Sequence, residues 1–155
     1  MDVIQYIDKI NSRLADGHTS EHTFRADLEQ LLSHLLPDCK ITNEPTDITD
    51  CGNPDFVVTR KTVPIGYIEA KDVGKDLNHK GYNEQFNRYK KALDNLIITD
   101  YIWFQFFVEG EKVAEVRLAQ PAFDNPQKYE IDHQAINLFE SHIRDFSIKV
   151  TQAIK

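Results

Sequence analysis

The chain predicts a mixed α/β fold, an α+β arrangement in which helices flank a mixed sheet. Three observations predict it. Apolar residues at helical spacing mark the start, the middle and the end of the sequence. Runs rich in β-branched and aromatic residues alternate with them, in the order helix, strand, hairpin, helix, strand. Two of those runs, Phe56 to Arg60 and Pro64 to Ala70, are separated by only a few turn-like residues, the mark of a hairpin. The 155 residues suit one domain with a full-sized core. The expected organisation is a single domain over 1–155, with its core at about 18–120 and a C-terminal helix at about 130–154.

Val3, Ile7, Ile10 and Leu14 follow helical spacing, and Gly17 is the stop. A second helix runs from about Thr19 to Leu36, with Thr19 or Ser20 as N-cap, a buried stripe of Phe24, Leu28, Leu31 and Leu35, and Pro37 at its end. Glu21, in its first turn, projects near that stripe and can reach towards the sheet; Glu29 lies off it and is solvated. Lys40 to Glu44 is a first strand, followed by the hairpin. Asp72 to Gly81 is a polar loop, and Tyr82, Phe86, Tyr89 and Leu93 mark a third helix. Asn95 to Thr99 and Tyr101 to Val108 are strands, Glu109-Gly110 a turn, Val113 to Leu118 another strand, and Pro121 to Pro126 a loop. The last helix, about Asp132 to Ile154, carries Ile136, Phe139, Ile143, Phe146 and Val150, a stripe for this core or for a partner domain.

Composition is that of a soluble globular protein, 41% hydrophobic and 28% charged. No apolar run approaches the ~20 residues that span a bilayer, and the first residues lack the basic and apolar regions of a secretory signal. Cys39 and Cys51 form neither a metal-ligand spacing nor a disulfide framework, which fits a reducing cytoplasm while leaving a single bridge open. The net charge of −7 argues against a free-standing nucleic-acid binder. Residues 60–91 run the other way, with eight Lys or Arg against four acids. That basic segment coincides with the candidate site and suggests a domain that acts on DNA delivered by something else.

The site is read from Pro54-Asp55 and Glu69-Ala70-Lys71. Alternation along a strand puts Glu69 and Lys71 on one face and Gly66, Ile68 and Ala70 on the other, against the core. Asp55, opening the neighbouring strand, falls across from Glu69. Two carboxylates there, completed by the Ala70 carbonyl, make a hard oxygen site suited to Mg²⁺, with Mn²⁺ able to replace it. Lys71 would polarise a water for in-line attack on phosphorus and offset the charge that builds. On this reading Asp55→Ala or Lys71→Ala abolishes cleavage with little loss of folding.

With these residues the chain resembles the PD-(D/E)xK, or restriction-endonuclease-like, superfamily: Pro54-Asp55 and Glu69-Ala70-Lys71 match its two motifs. Gln85-Phe86-Asn87-Arg88-Tyr89 resembles the Q-x-x-x-Y element of RecB-like nucleases, with Gln85 and Tyr89 on one helix face; Tyr89 as a plain core residue is the alternative. Over about residues 18 to 120 the likeness is to the N-terminal nuclease domain of type ISP and type IIG restriction–modification enzymes. It implies a Mg²⁺-dependent DNA endonuclease acting on double-stranded DNA. Asp55, Glu69 and Glu21 would bind metal, Lys71 would assist the water, and Gln85 and Tyr89 would shape the site. It also implies methyltransferase and target-recognition domains in the same or a partner chain, for which this sequence has no motif. A silent nuclease-like docking module and a stand-alone structure-specific nuclease remain the alternatives.

Other features are discounted. His18 and His22, four apart, lack a nearby third ligand. Trp103, Phe104, Phe106 and Phe107 suit a core plus one interface face better than base stacking. Asp47 and Asp50 suit a solvated loop.

Overall fold

The computed structural model describes residues 1–17, 21–43 and 52–153. Helix α1 (Val3–Ala15) opens on a capping box. The Asp2 carboxylate accepts the Gln5 N–H at 2.8 Å, and the Asp2 N–H donates to Gln5 Oε1 at 3.0 Å. Gly17, at φ 73°, lets the chain leave the helix through the left-handed region. Helix α2 (Glu21–Leu35) leads to strand β1 (Lys40–Asn43), then to the hairpin β2 (Phe56–Arg60) and β3 (Val63–Ala70). A 3-10 turn (Lys80–Tyr82) runs into helix α3 (Asn83–Ala92). Strands β4 (Asn95–Thr99), β5 (Trp103–Val108) and β6 (Glu111–Arg117) follow, then β7 (Ala119–Pro121), β8 (Tyr129–Ile131) and helix α4 (His133–Ala153).

Strands β1 to β6 form one sheet in sequence order, and β7 and β8 pair separately. Every neighbouring pair is antiparallel except β3 and β4, which run parallel. A parallel step needs a crossover, and the loop after β3, the 3-10 turn and α3 supply it. Both faces of the central strands are therefore covered, and all five residues of β4 are buried. On one face Tyr6, Phe24, Leu28, Phe139 and Ile143, from α1, α2 and α4, pack with Phe56, Val58, Ile68, Ile97 and Phe104. On the other, Phe86, Tyr89 and Leu93 pack with Leu96, Ile98, Trp103 and Phe107.

Several expectations change. The third helix begins at Asn83, because the chain first makes the tighter turn at Lys80–Tyr82. Strand β5 begins at Trp103, not Tyr101: Tyr101 has φ 77°, in a turn held by Asp100. Pro121, expected to open a loop, ends β7, at a strand end where a missing N–H is tolerated. The α2 stripe shifts by one residue at its end, with Leu32 and Leu36 buried and Leu35 half-buried. The aromatic run of β5 has no interface face: Phe104 and Phe106 enter one core, Trp103 and Phe107 the other. The α4 stripe serves this chain's own core, with Phe139 and Ile143 fully buried. His18, the N-cap at Thr19 or Ser20, Glu44, Asp47, Asp50, Cys51 and Ile154 lie outside the described residues. No helix among those described is long and apolar enough to cross a membrane.

Candidate functional site

The β2–β3 hairpin sets the first geometry. Phe56 pairs with Ile68, so Asp55, one residue before β2, falls opposite Glu69. The Asp55 N–H lies 3.3 Å from Glu69 Oε1, and Asp55 Oδ2 accepts the Ala70 N–H at 2.8 Å. The Lys71 N–H donates to Thr99 O at 2.8 Å, which carries the β3–β4 pairing one residue past the strand. Asp55, Glu69, Ala70 and Lys71 thus meet where β3 and β4 both end.

Helix α3 closes one side. Lys71 Nζ donates to Gln85 Oε1 at 2.8 Å and stands 3.3 Å from Glu69 Oε2. It lies 5.0 Å from the Tyr82 ring centroid and 5.7 Å from that of Phe86. A carboxylate, an amide oxygen and two aromatic rings surround the Lys71 amine and fix its place. Tyr89, one turn beyond Gln85, is buried in the α3-side core, and its ring end faces Gly52 on the approach to Asp55. It is both core and floor. Gly52, at φ 120°, occupies backbone that disfavours a side chain.

Helix α2 closes the other side with a residue that sequence reasoning did not single out. Arg25 Nη2 donates to Asp55 Oδ1 at 2.5 Å, with the two side chains 8% and 13% exposed. Glu21, the expected acid of this helix, is its first residue, and its side chain lies outside the described atoms. Arg25 is four residues further along the same helix, so the face chosen for Glu21 was the signal that pointed to it. The ion pair also changes one expectation. Asp55→Ala removes the carboxylate from a buried guanidinium and costs folding stability, about 3 kcal/mol. Asp55→Asn is the cleaner probe.

Burial, reinforced by the neighbouring Asp55 carboxylate and opposed by Lys71, pushes Glu69 up to about 7. Asp100, just past β4, accepts N–H bonds from Gly74, Ile102 and Trp103 and ties the loop after β3 to the β4–β5 turn. Burial raises its pKa against those three bonds. Among the described residues no group of three His, Cys, Asp or Glu side chains gathers for a metal. The donors available at the strand ends are hard oxygens: the carboxylates of Asp55 and Glu69 and the main-chain carbonyl of Ala70.

No family model matches the sequence, and no curated protein matches it. Among solved structures the chain is similar to one in a cryo-electron microscopy structure of a DrdV–DNA complex, with a TM-score of 0.64 and 24% identity. The likeness covers 92% of this chain and 14% of that one. At this identity it is a likeness of fold. The chain spans only a small part of that protein's length.

Proposed function

We propose that this chain is a metal-dependent DNA endonuclease domain that hydrolyses phosphodiester bonds, the cleavage module of a restriction–modification enzyme of the PD-(D/E)xK kind. The observation that carries the reading is the meeting of Asp55, Glu69 and Lys71 at one strand end, with Gln85 fixing the lysine. The fold shared with a protein solved on DNA supports it.

Asp55, Glu69 and the Ala70 carbonyl would hold Mg²⁺ or Mn²⁺. Two carboxylates crowded and withdrawn from water suit a divalent cation, which relieves the penalty that raises the Glu69 pKa. Once bound, the ion supplies Lewis acidity towards a phosphoryl oxygen and its water. Lys71 holds a cation beside the reacting phosphate, orients the attacking water and offsets the charge developing on the non-bridging oxygens. Gln85 keeps the ammonium in place, Tyr89 supports the segment before Asp55, and Arg25 sets the Asp55 rotamer. Glu21 remains a candidate further ligand. The partners on this reading are double-stranded DNA and, in the same or another chain, methyltransferase and target-recognition domains; the compartment is the cytoplasm.

One observation favours a second reading, a silent docking module: Arg25 already neutralises Asp55. Nicking of supercoiled plasmid at low salt, with Mg²⁺, Mn²⁺ or EDTA, separates the two. Metal-dependent nicking lost by at least ~100-fold in Lys71→Ala is the expected result. A folded Lys71→Ala protein that cuts at the parent rate would sink the assignment. Calorimetry with Mn²⁺ that finds no site in parent protein selects the silent module.

A further inference from the structure

A polar cavity of about 280 Å³ lies beside α3 over β5. Its walls are Asn78, Asn83, Phe86, Lys90, Gln105 and Lys112, completed by Leu77, Phe107 and Gly110, with no acidic side chain among them. Lys90 Nζ sits 4.5 Å from the Phe107 ring centroid, and among the described residues it has no ion-pair partner. Lys90 and Lys112 both line the cavity, and burial together with the Lys112 ammonium pushes the Lys90 pKa down. Lys112 Nζ is paired with Glu115 Oε2, 2.8 Å away. Gln105 is 3% exposed and donates from Nε2 to Asn78 Oδ1 at 3.2 Å. That bond uses the Asn78 oxygen and leaves its amide nitrogen as a donor.

The Lys90 ammonium, the Lys112 ammonium shared with Glu115 and the side-chain amides of Asn78, Asn83 and Gln105, in walls that carry no acid, form an anion site, and lysine with amide donors is suited to phosphate. The cavity is also tied to the strand-end site: Phe86 lines it, and the same ring lies 5.7 Å from Lys71 Nζ. A strand with one phosphate at Lys71 therefore has a second cationic place on the far reach of α3. We infer that the Lys90–Lys112 cavity binds a phosphodiester group of the nucleic-acid backbone, away from the phosphate that is cut. The choice of a backbone phosphate over a free one rests on the nuclease reading; the cavity's preference for phosphate does not.

The test reads binding in EDTA, where cutting plays no part. A dye-labelled 14-base-pair duplex is titrated with parent, Lys90→Gln and Lys112→Gln proteins over a series of salt concentrations, with folding checked by the backbone NMR spectrum. Side-chain amide resonances of Asn78, Asn83 and Gln105 are followed in the same titration. Expected are shifts of those resonances, roughly 3–10-fold weaker binding in each variant, and a log–log salt slope smaller by about one. Unmoved amides, or variants with parent affinity and slope, overturn the inference. Inorganic phosphate that moves the amides where the duplex does not overturns the backbone source and assigns a free phosphate. Failure of the cleavage reading would show in the plasmid assay alone and leave these outcomes legible.

Discussion

Glu69 carries the sharpest consequence at the residue scale. Its carboxyl titrates near 7 in the folded chain against 4.5 ordinarily, because it is buried beside Asp55. The folded state therefore holds this proton more tightly than the unfolded chain. Its contribution is full below about pH 4.5 and is lost as pH rises towards about 7, at most about 3 kcal/mol. Denaturant unfolding of metal-free protein in EDTA between pH 5 and 8 should show stability falling with pH, and Glu69→Gln should flatten the curve in that window. A parent protein equally stable at both ends would contradict the burial argument. Arg25 belongs to the same scale. Its pairing with Asp55 makes Asp55→Ala a folding variant as much as a functional one, and Asp55→Asn should unfold at a higher temperature than Asp55→Ala.

At the scale of elements, the site depends on how α4 seats on the hairpin. A Cβ built on Gly66 would fall 2.6 Å from Phe146 Cε1 and 3.0 Å from Asn95 Nδ2. Asn95 in turn donates to Ile65 O at 2.8 Å and Phe146 O at 2.7 Å, joining β3, β4 and α4. Nothing there can shift without loosening the helix, so Gly66→Ala should cost about 2 kcal/mol or more. Trimming the ring that it strikes, in a Gly66→Ala/Phe146→Leu double variant, should recover part of that loss. Thermal melts of the two singles and the double measure the coupling, and strictly additive losses would show that the ring is not the obstacle.

For the whole molecule, charge decides. A net −7 opposes DNA, and of the eight basic residues in 60–91 Lys71 stands at the strand-end site and Lys90 at the cavity beside α3, while Arg60 is paired with Asp38 at the far end of the hairpin. The isolated chain should bind duplexes of any sequence weakly, no tighter than ~10⁻⁵ M at physiological salt, and lose affinity steeply as salt rises. Fluorescence anisotropy with several unrelated duplexes checks this. Nanomolar, sequence-selective binding would mean that recognition resides in this chain, against the view that it acts on DNA presented by neighbouring domains.

The amino-acid sequence by itself determined the mixed α/β class, nearly every element, and the pairing of Asp55 with Glu69. Helical stripes and strand alternation are local properties, and a hairpin fixes its own register once its ends are known. Only the tertiary structure decided the rest. That β3 and β4 run parallel depends on where α3 crosses, and this crossover brings Gln85 onto Lys71 from fourteen residues away. The aromatics of β5 read as one apolar run, yet they divide between two cores because helices cover both faces of the sheet. The short β7–β8 pair carries too little apolar pattern to be read in advance. Arg25 and Lys90 are ordinary helix-surface residues by composition; their meaning comes from packing that withdraws one beside Asp55 and sets the other over Phe107. Local periodicity fixes what each segment becomes, while long-range burial fixes which charges must meet.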